Sequence, residues 1–131
     1  MQQILLALCN DARRAAQVEV LQWDARIERI AQGHAEAMAQ GAYFDHVDAH
    51  GRAVGERLMQ SGFNYRWAGE NISAGKNRAE DVFAWWMTSA GHRANILKAE
   101  FALTGFGYCF IEHDVRAFHH YWVQVFATEM Q

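Results

Sequence analysis

Aromatic residues are so unevenly distributed that they set the first constraint on the fold. Of five Trp, four Tyr and eight Phe, all but Trp23 lie from Tyr43 onward. Aromatic side chains favour a pleated, half-buried surface, and rings this numerous need apolar layers to cover them. The distribution therefore points to a sheet packed between helices rather than to a helical bundle. With 131 residues, 51% of them hydrophobic, the chain is long enough to bury a full core as one domain over 1–131. Proline is absent, and no Gly/Ser tract, charge block or internal repeat marks a linker in its place.

Charge narrows the partners. Twelve Lys plus Arg against fifteen Asp plus Glu give a net charge of -3, with no basic stripe of the kind that neutralises phosphates along nucleic acid. The apolar run Ile4 to Leu8 is too short to span a bilayer and has no basic stretch before it, so neither a transmembrane segment nor an ordinary signal peptide is expected. Cys9 falls in a helical pattern and Cys109 in a strand pattern, which favours two separate buried thiols over one disulfide.

Along the chain, Ile4, Leu5, Leu8, Ala12 and Ala15 recur at helical spacing and predict an amphipathic helix over 2–16. Val18 to Leu21 is β-prone. Asp24 is an N-cap candidate for a second helix with the stripe Ile27, Ile30, Ala31, His34 and Met38, ended by Gly41. His34 lies on that stripe, where a hydrogen-bonded core imidazole is the commoner state. A short helix over 53–61 closes at Gly62, and residues 63–69 form an aromatic, cationic loop leading to Glu70. Asn77 and Glu80 make a capping-box pattern before a helix through Val82, Phe83 and Trp86. Trp85 and Trp86 belong to different faces of that helix and act as rim and core. Residues 103–111 and 121–128 predict strands, joined by a hairpin that carries His113, His119 and His120 near its exposed end.

Three polar groups sit where the backbone changes direction. His46 follows the second helix in Tyr43-Phe44-Asp45-His46, Glu70 begins Glu-Asn-Ile after Gly69, and His92 follows a tight turn at Gly91. A rigid scaffold can aim such groups into a cleft at little folding cost. Two imidazoles and one carboxylate match either a metal site or an acid/base cluster, provided the fold brings them together.

With these residues named, the chain resembles the CAP superfamily of cysteine-rich secretory proteins, antigen 5 and pathogenesis-related proteins, in particular its compact bacterial SCP-like domains. The landmarks are Leu21-Gln22-Trp23-Asp24, Ala35 to Met38, Tyr43 to His46, Gly69 to Ile72, Trp86 to Leu97, Gly105-Phe106-Gly107 and Tyr121 to Phe126, and they cover nearly the whole chain. The resemblance implies an α+β fold, a three-layer α-β-α sandwich around a small, mainly antiparallel sheet. It also implies a central cleft in which His46, Glu70 and His92 hold a divalent cation, zinc first among the candidates, with no organic cofactor. Many eukaryotic relatives look to have a second glutamate near the end of the helix before the second histidine; here Ser89 is the nearest counterpart, and a hydroxyl can neither neutralise a cation nor act as a base at neutral pH.

The favoured expectation is a secreted or envelope-associated binding protein whose partner is a lipid, a peptide or an envelope component. Family members include lipid and sterol binders. A metal-dependent hydrolase using the same cleft is the alternative, although no Gly-x-Ser-x-Gly elbow or His-Glu-x-x-His helix occurs. A third reading makes the cluster a hydrogen-bonded network that only fixes the loops.

Overall fold

The computed structural model describes residues 2–131, and one strand, β4 (His120–Glu129), sorts the side chains of the molecule into two layers. Tyr121, Val123, Val125 and Ala127 enter a core with Ile27, Ala31, Met38 and Leu58. Trp122 and Phe126 enter another with Leu5, Cys9, Val82, Trp86 and Ile96. The split follows the period of two along a strand. Every residue from Tyr121 to Ala127 is buried, because helices cover both faces.

The first face is covered by α2 (Ala25–Gly41) and α3 (Val54–Gln60). The second is covered by α1 (Gln2–Ala15), α4 (Ala79–Thr88) and α5 (Ala90–Ile96). Between them lie β1 (Gln22–Trp23), β2 (Tyr65–Ala74), β3 (Leu103–Phe110) and β4, in the order β1-β3-β4-β2. β1 runs parallel to β3, whereas β3 and β2 both pair antiparallel with β4. The fold is thus the α-β-α sandwich expected, with a mainly antiparallel sheet. α2 lies directly on β3, so close that a methyl group at Gly105 or Gly107 would strike its backbone at Glu28 or Ala31.

Several local expectations are corrected. Residues 65–69 are not loop but the first half of β2, which pairs from Tyr65↔Glu129 through Ala74↔Tyr121. Pairing with β4 overrides the look of a polar, glycine-containing segment. The β-prone 18–21 segment is irregular, and the parallel strand begins one residue later; Asn10 holds Leu21 by accepting from its N–H and donating to its carbonyl. Asp24 caps α2 as expected, accepting from Arg26 and Ile27 N–H. That helix runs through Gly41, and Ala42 takes the left-handed turn with φ 56°. The N-cap of α4 is Arg78, so Asn77 and Glu80 form no capping box. Gly91 lies inside α5; the chain breaks at Ser89, whose extended φ and ψ of -101° and 125° end α4 and start α5. Both cysteines are free thiols. Burial of Cys9 pushes its pKa up to about 12, which makes it an inert packing group.

Candidate functional site

The site is built outward from two adjacent residues of β2, an edge strand of the sheet. Glu70 pairs with Val125 and Asn71 with Gln124, so their side chains leave the strand on opposite faces. Glu70 enters the layer of α2 and α3. There its Oε1 bonds His46 Nδ1 at 3.0 Å, and its Oε2 faces Arg57 Nη2 at 2.8 Å as an ion pair. Nη2 makes its aligned hydrogen bond to the His46 carbonyl, also at 2.8 Å. Arg57 thereby fixes both the carboxylate and the backbone of the loop that carries His46.

Asn71 enters the opposite layer, fully buried, and donates to the His92 carbonyl at 3.0 Å. Asn95, one turn along α5, donates to Asn71 Oδ1 at 2.9 Å and to the Glu70 carbonyl at 3.2 Å. The Ile72 carbonyl accepts from Trp86 Nε1 at 3.1 Å. Two carbonyls of this edge strand are therefore capped by side chains, which blunts the edge as a template for further pairing.

His46 and His92 meet over this edge. They line one open cleft of about 310 Å³ together with Phe44, Asp45, Ile72 and Trp85. The structure thus brings together the three residues singled out in the sequence, but with unequal parts: the two imidazoles face the cleft, and Glu70 stands behind His46 with its side chain only 2% exposed. Asp45, a further carboxylate in the wall, accepts from Val47 N–H at 3.0 Å. Trp85 is half exposed and forms cleft wall, while Trp86 is buried. His34 is a core residue, its Nε2 donating to the Asp45 carbonyl at 2.8 Å. His119 and His120 lie elsewhere, stacked on Phe110 and Tyr108 respectively.

The environments push the two cleft histidines apart. The hydrogen bond to Glu70 raises the His46 pKa above its ordinary value, outweighing partial burial. Burial, followed by the nearby His46 charge, lowers that of His92. His92 Nδ1 is buried and has no protein partner. For a divalent cation these residues fit a site of two imidazoles, with Glu70 orienting the His46 ring, since a ligating histidine commonly donates its other ring N–H to a carboxylate. Among the described residues, no group of three His, Cys, Asp or Glu side chains converges as a closed ligand set. Sequence reasoning missed Arg57 and Asn95. Each looks like an ordinary helix residue, and only the register of β2 against the helices shows what it holds.

Comparison with known proteins agrees with this architecture. A model of the CAP group, described as the cysteine-rich secretory protein family, matches residues 6–126. The Bacillus subtilis protein YkwD is 34% identical over 104 residues, which is 79% of this chain and 40% of that protein. The chain therefore spans less than half the length of that relative. Among solved structures, an extracellular protein containing a SCP domain from Bacillus anthracis superposes with a TM-score of 0.83 at 27% identity, over 98% of this chain and 40% of that one. An outer surface protein of Borrelia burgdorferi gives 0.88 at 16% identity, over 98% of this chain and 92% of that one, a likeness of fold.

Proposed function

Because the chain belongs to the cysteine-rich secretory protein family, we propose that it works outside the cytoplasm as a binding module whose cleft takes a divalent cation through His46 and His92. The extracellular and outer-surface descriptions of its structural neighbours support the location. One observation carries the cation: imidazoles from opposite layers of the sandwich line the same cleft, and a buried carboxylate holds the ring of one of them. Zinc suits two neutral imidazoles better than calcium or magnesium, which prefer oxygen. A bound zinc would offer a Lewis-acidic contact to a polar group of the ligand. Ile72, Phe44 and Trp85 give the rest of the cleft an apolar floor and walls, which suits a lipid, a peptide or an envelope component with one polar end.

The chain's own residues divide the work. Arg57 and Glu70 fix the His46 ring, and Asn71 and Asn95 fix the helix that carries His92. Less is available for hydrolysis. Glu70 is committed to Arg57 and His46, and Ser89 stands where many relatives have a second glutamate, so proton abstraction would fall to Asp45 or to a histidine needed as ligand. Calorimetric titration with zinc at neutral pH tests the reading. Wild type is expected to bind one ion, and His46→Gln and His92→Gln, both folded, are each expected to lose binding. Absence of binding by folded wild type, or binding untouched by both substitutions, would leave the cluster as a hydrogen-bonded network.

A further inference from the structure

A second cleft lies in the layer of α2 and α3 and shares one residue with the network described above. It measures about 330 Å³ and is lined by Arg29, His34, Asp48, Arg52, Arg57 and Ser61, among others. Its charge is opposite to that of the chain as a whole, which carries -3. Three guanidinium groups and one carboxylate line it, and Arg57 is itself paired with the buried Glu70. Asp48 is turned toward its own loop, with Oδ1 accepting from the N–H of His50 and Arg52 at 2.9 Å each. Arg52 bonds the neutral Gln60 side chain. Neither Arg29 nor Arg52 has a carboxylate within ion-pair distance among the described residues.

The buried floor is less satisfied than the rim. Arg57 is only 9% exposed, and its Nε and Nη1 have no protein partner, since Nη2 alone serves His46 and Glu70. His34 is 2% exposed, and its Nδ1 is also without a partner because Nε2 is spent on Asp45. Leaving buried donors of a cation without a partner is costly, even where the charge itself is paired as that of Arg57 is with Glu70. Arg57 lines a cleft that also holds Arg29 and Arg52, and three arginines so placed have the composition of an oxyanion site, in which planar guanidinium groups match phosphate geometry. The His34 Nδ1 lone pair adds an acceptor for a hydroxyl of the same ligand.

We propose that the cleft between α2 and α3 is an anion site that binds a phosphate monoester, with Arg57 as its buried contact and Arg29 and Arg52 at its rim. The site shares Arg57 with the network behind His46, but it needs no zinc in the cation cleft and stands whether or not zinc binds there. The phosphoryl oxygens are held between Arg29, Arg52 and Arg57, and the remainder of the ester extends past Gly33 and Ser61 toward solvent. No bond is made or broken.

Titration of zinc-free protein with inorganic phosphate, at ionic strength held constant with sodium chloride, tests the proposal through the arginine Nε–H signals in ¹H–¹⁵N spectra. Saturable shifts of Arg57 and Arg52 are expected, with Arg29→Gln and Arg52→Gln each weakening affinity about tenfold, the loss of roughly one charge-assisted hydrogen bond. Both positions lie outside the apolar cores, so the variants keep the wild-type spectrum elsewhere. Shifts that grow linearly and equally with chloride, or an affinity that neither substitution changes, overturn the proposal. A second arm distinguishes the source of the ester, using phosphatidylcholine vesicles with and without phosphatidic acid. Co-sedimentation that needs phosphatidic acid and is lost in both variants supports the site with a lipid headgroup; saturation by phosphate without co-sedimentation supports it with a soluble phosphate ester.

Discussion

Glu70 shows how one side chain can set the chemistry of a neighbour without entering the cleft itself. Its bond to Nδ1 favours the protonated form of His46, whereas burial favours the neutral form of His92. The linkage signs are opposite. Protonated His46 contributes stability that is present below the ordinary histidine pKa of about 6.5 and is lost as pH rises through its raised folded value. His92 contributes stability present above about 6.5 and lost as pH falls through its lowered folded value. Because the His46 side chain is 53% exposed, solvent screening keeps its share of this stability small. Titration followed by the ring ¹H signals is expected to place His46 above about 6.5 and His92 below it. Glu70→Gln should bring His46 down. A His46 value unmoved by that substitution would contradict the pairing. His46, Glu70 and His92 are legible in the sequence because each lies in a short motif of a recognisable family. Arg57 is not, since its role depends on α3 lying against β2.

At the scale of elements, the decisive part is β2, which sends Glu70 to one layer and Asn71 to the other. Asn71 is the harder of the two to replace, because it is fully buried and serves both His92 and Asn95. Asn71→Ala is expected to destabilise the fold by about 1–3 kcal/mol, since it takes the donor from the His92 carbonyl and leaves the Asn95 amide only the Glu70 carbonyl. Amide exchange in α5 should quicken while that in α2 stays slow. Chemical denaturation and hydrogen exchange check the two parts, and a loss under about 0.5 kcal/mol would mean that α5 is held by its apolar contacts alone. α2 is legible from the sequence, because Asp24 caps it and its stripe has helical spacing. β2 is not legible to the same degree. Arg66 and Gly69 interrupt its alternation, and what makes it a strand is a partner, β4, that lies far along the chain, with Tyr65 on Glu129 and Ala74 on Tyr121.

For the whole molecule, the sandwich explains why two distant histidines meet. The sheet ends at the β2 edge, and the layers on its two faces each bring one imidazole over that edge. The layered fold could be read from the aromatic skew and the family motifs, whereas the cleft's position required the strand order. Among the described residues, no helix is long and apolar enough to cross a membrane. The chain matches only part of its longer Bacillus relatives. The most direct test of the central claim is anomalous diffraction at the zinc edge from crystals grown with the metal. One peak is expected in the cleft, about 2.0–2.1 Å from a ring nitrogen of both His46 and His92, with Glu70 still on His46 Nδ1. A cleft without a peak and with both histidines ordered, or zinc found only at His119 and His120, would contradict it.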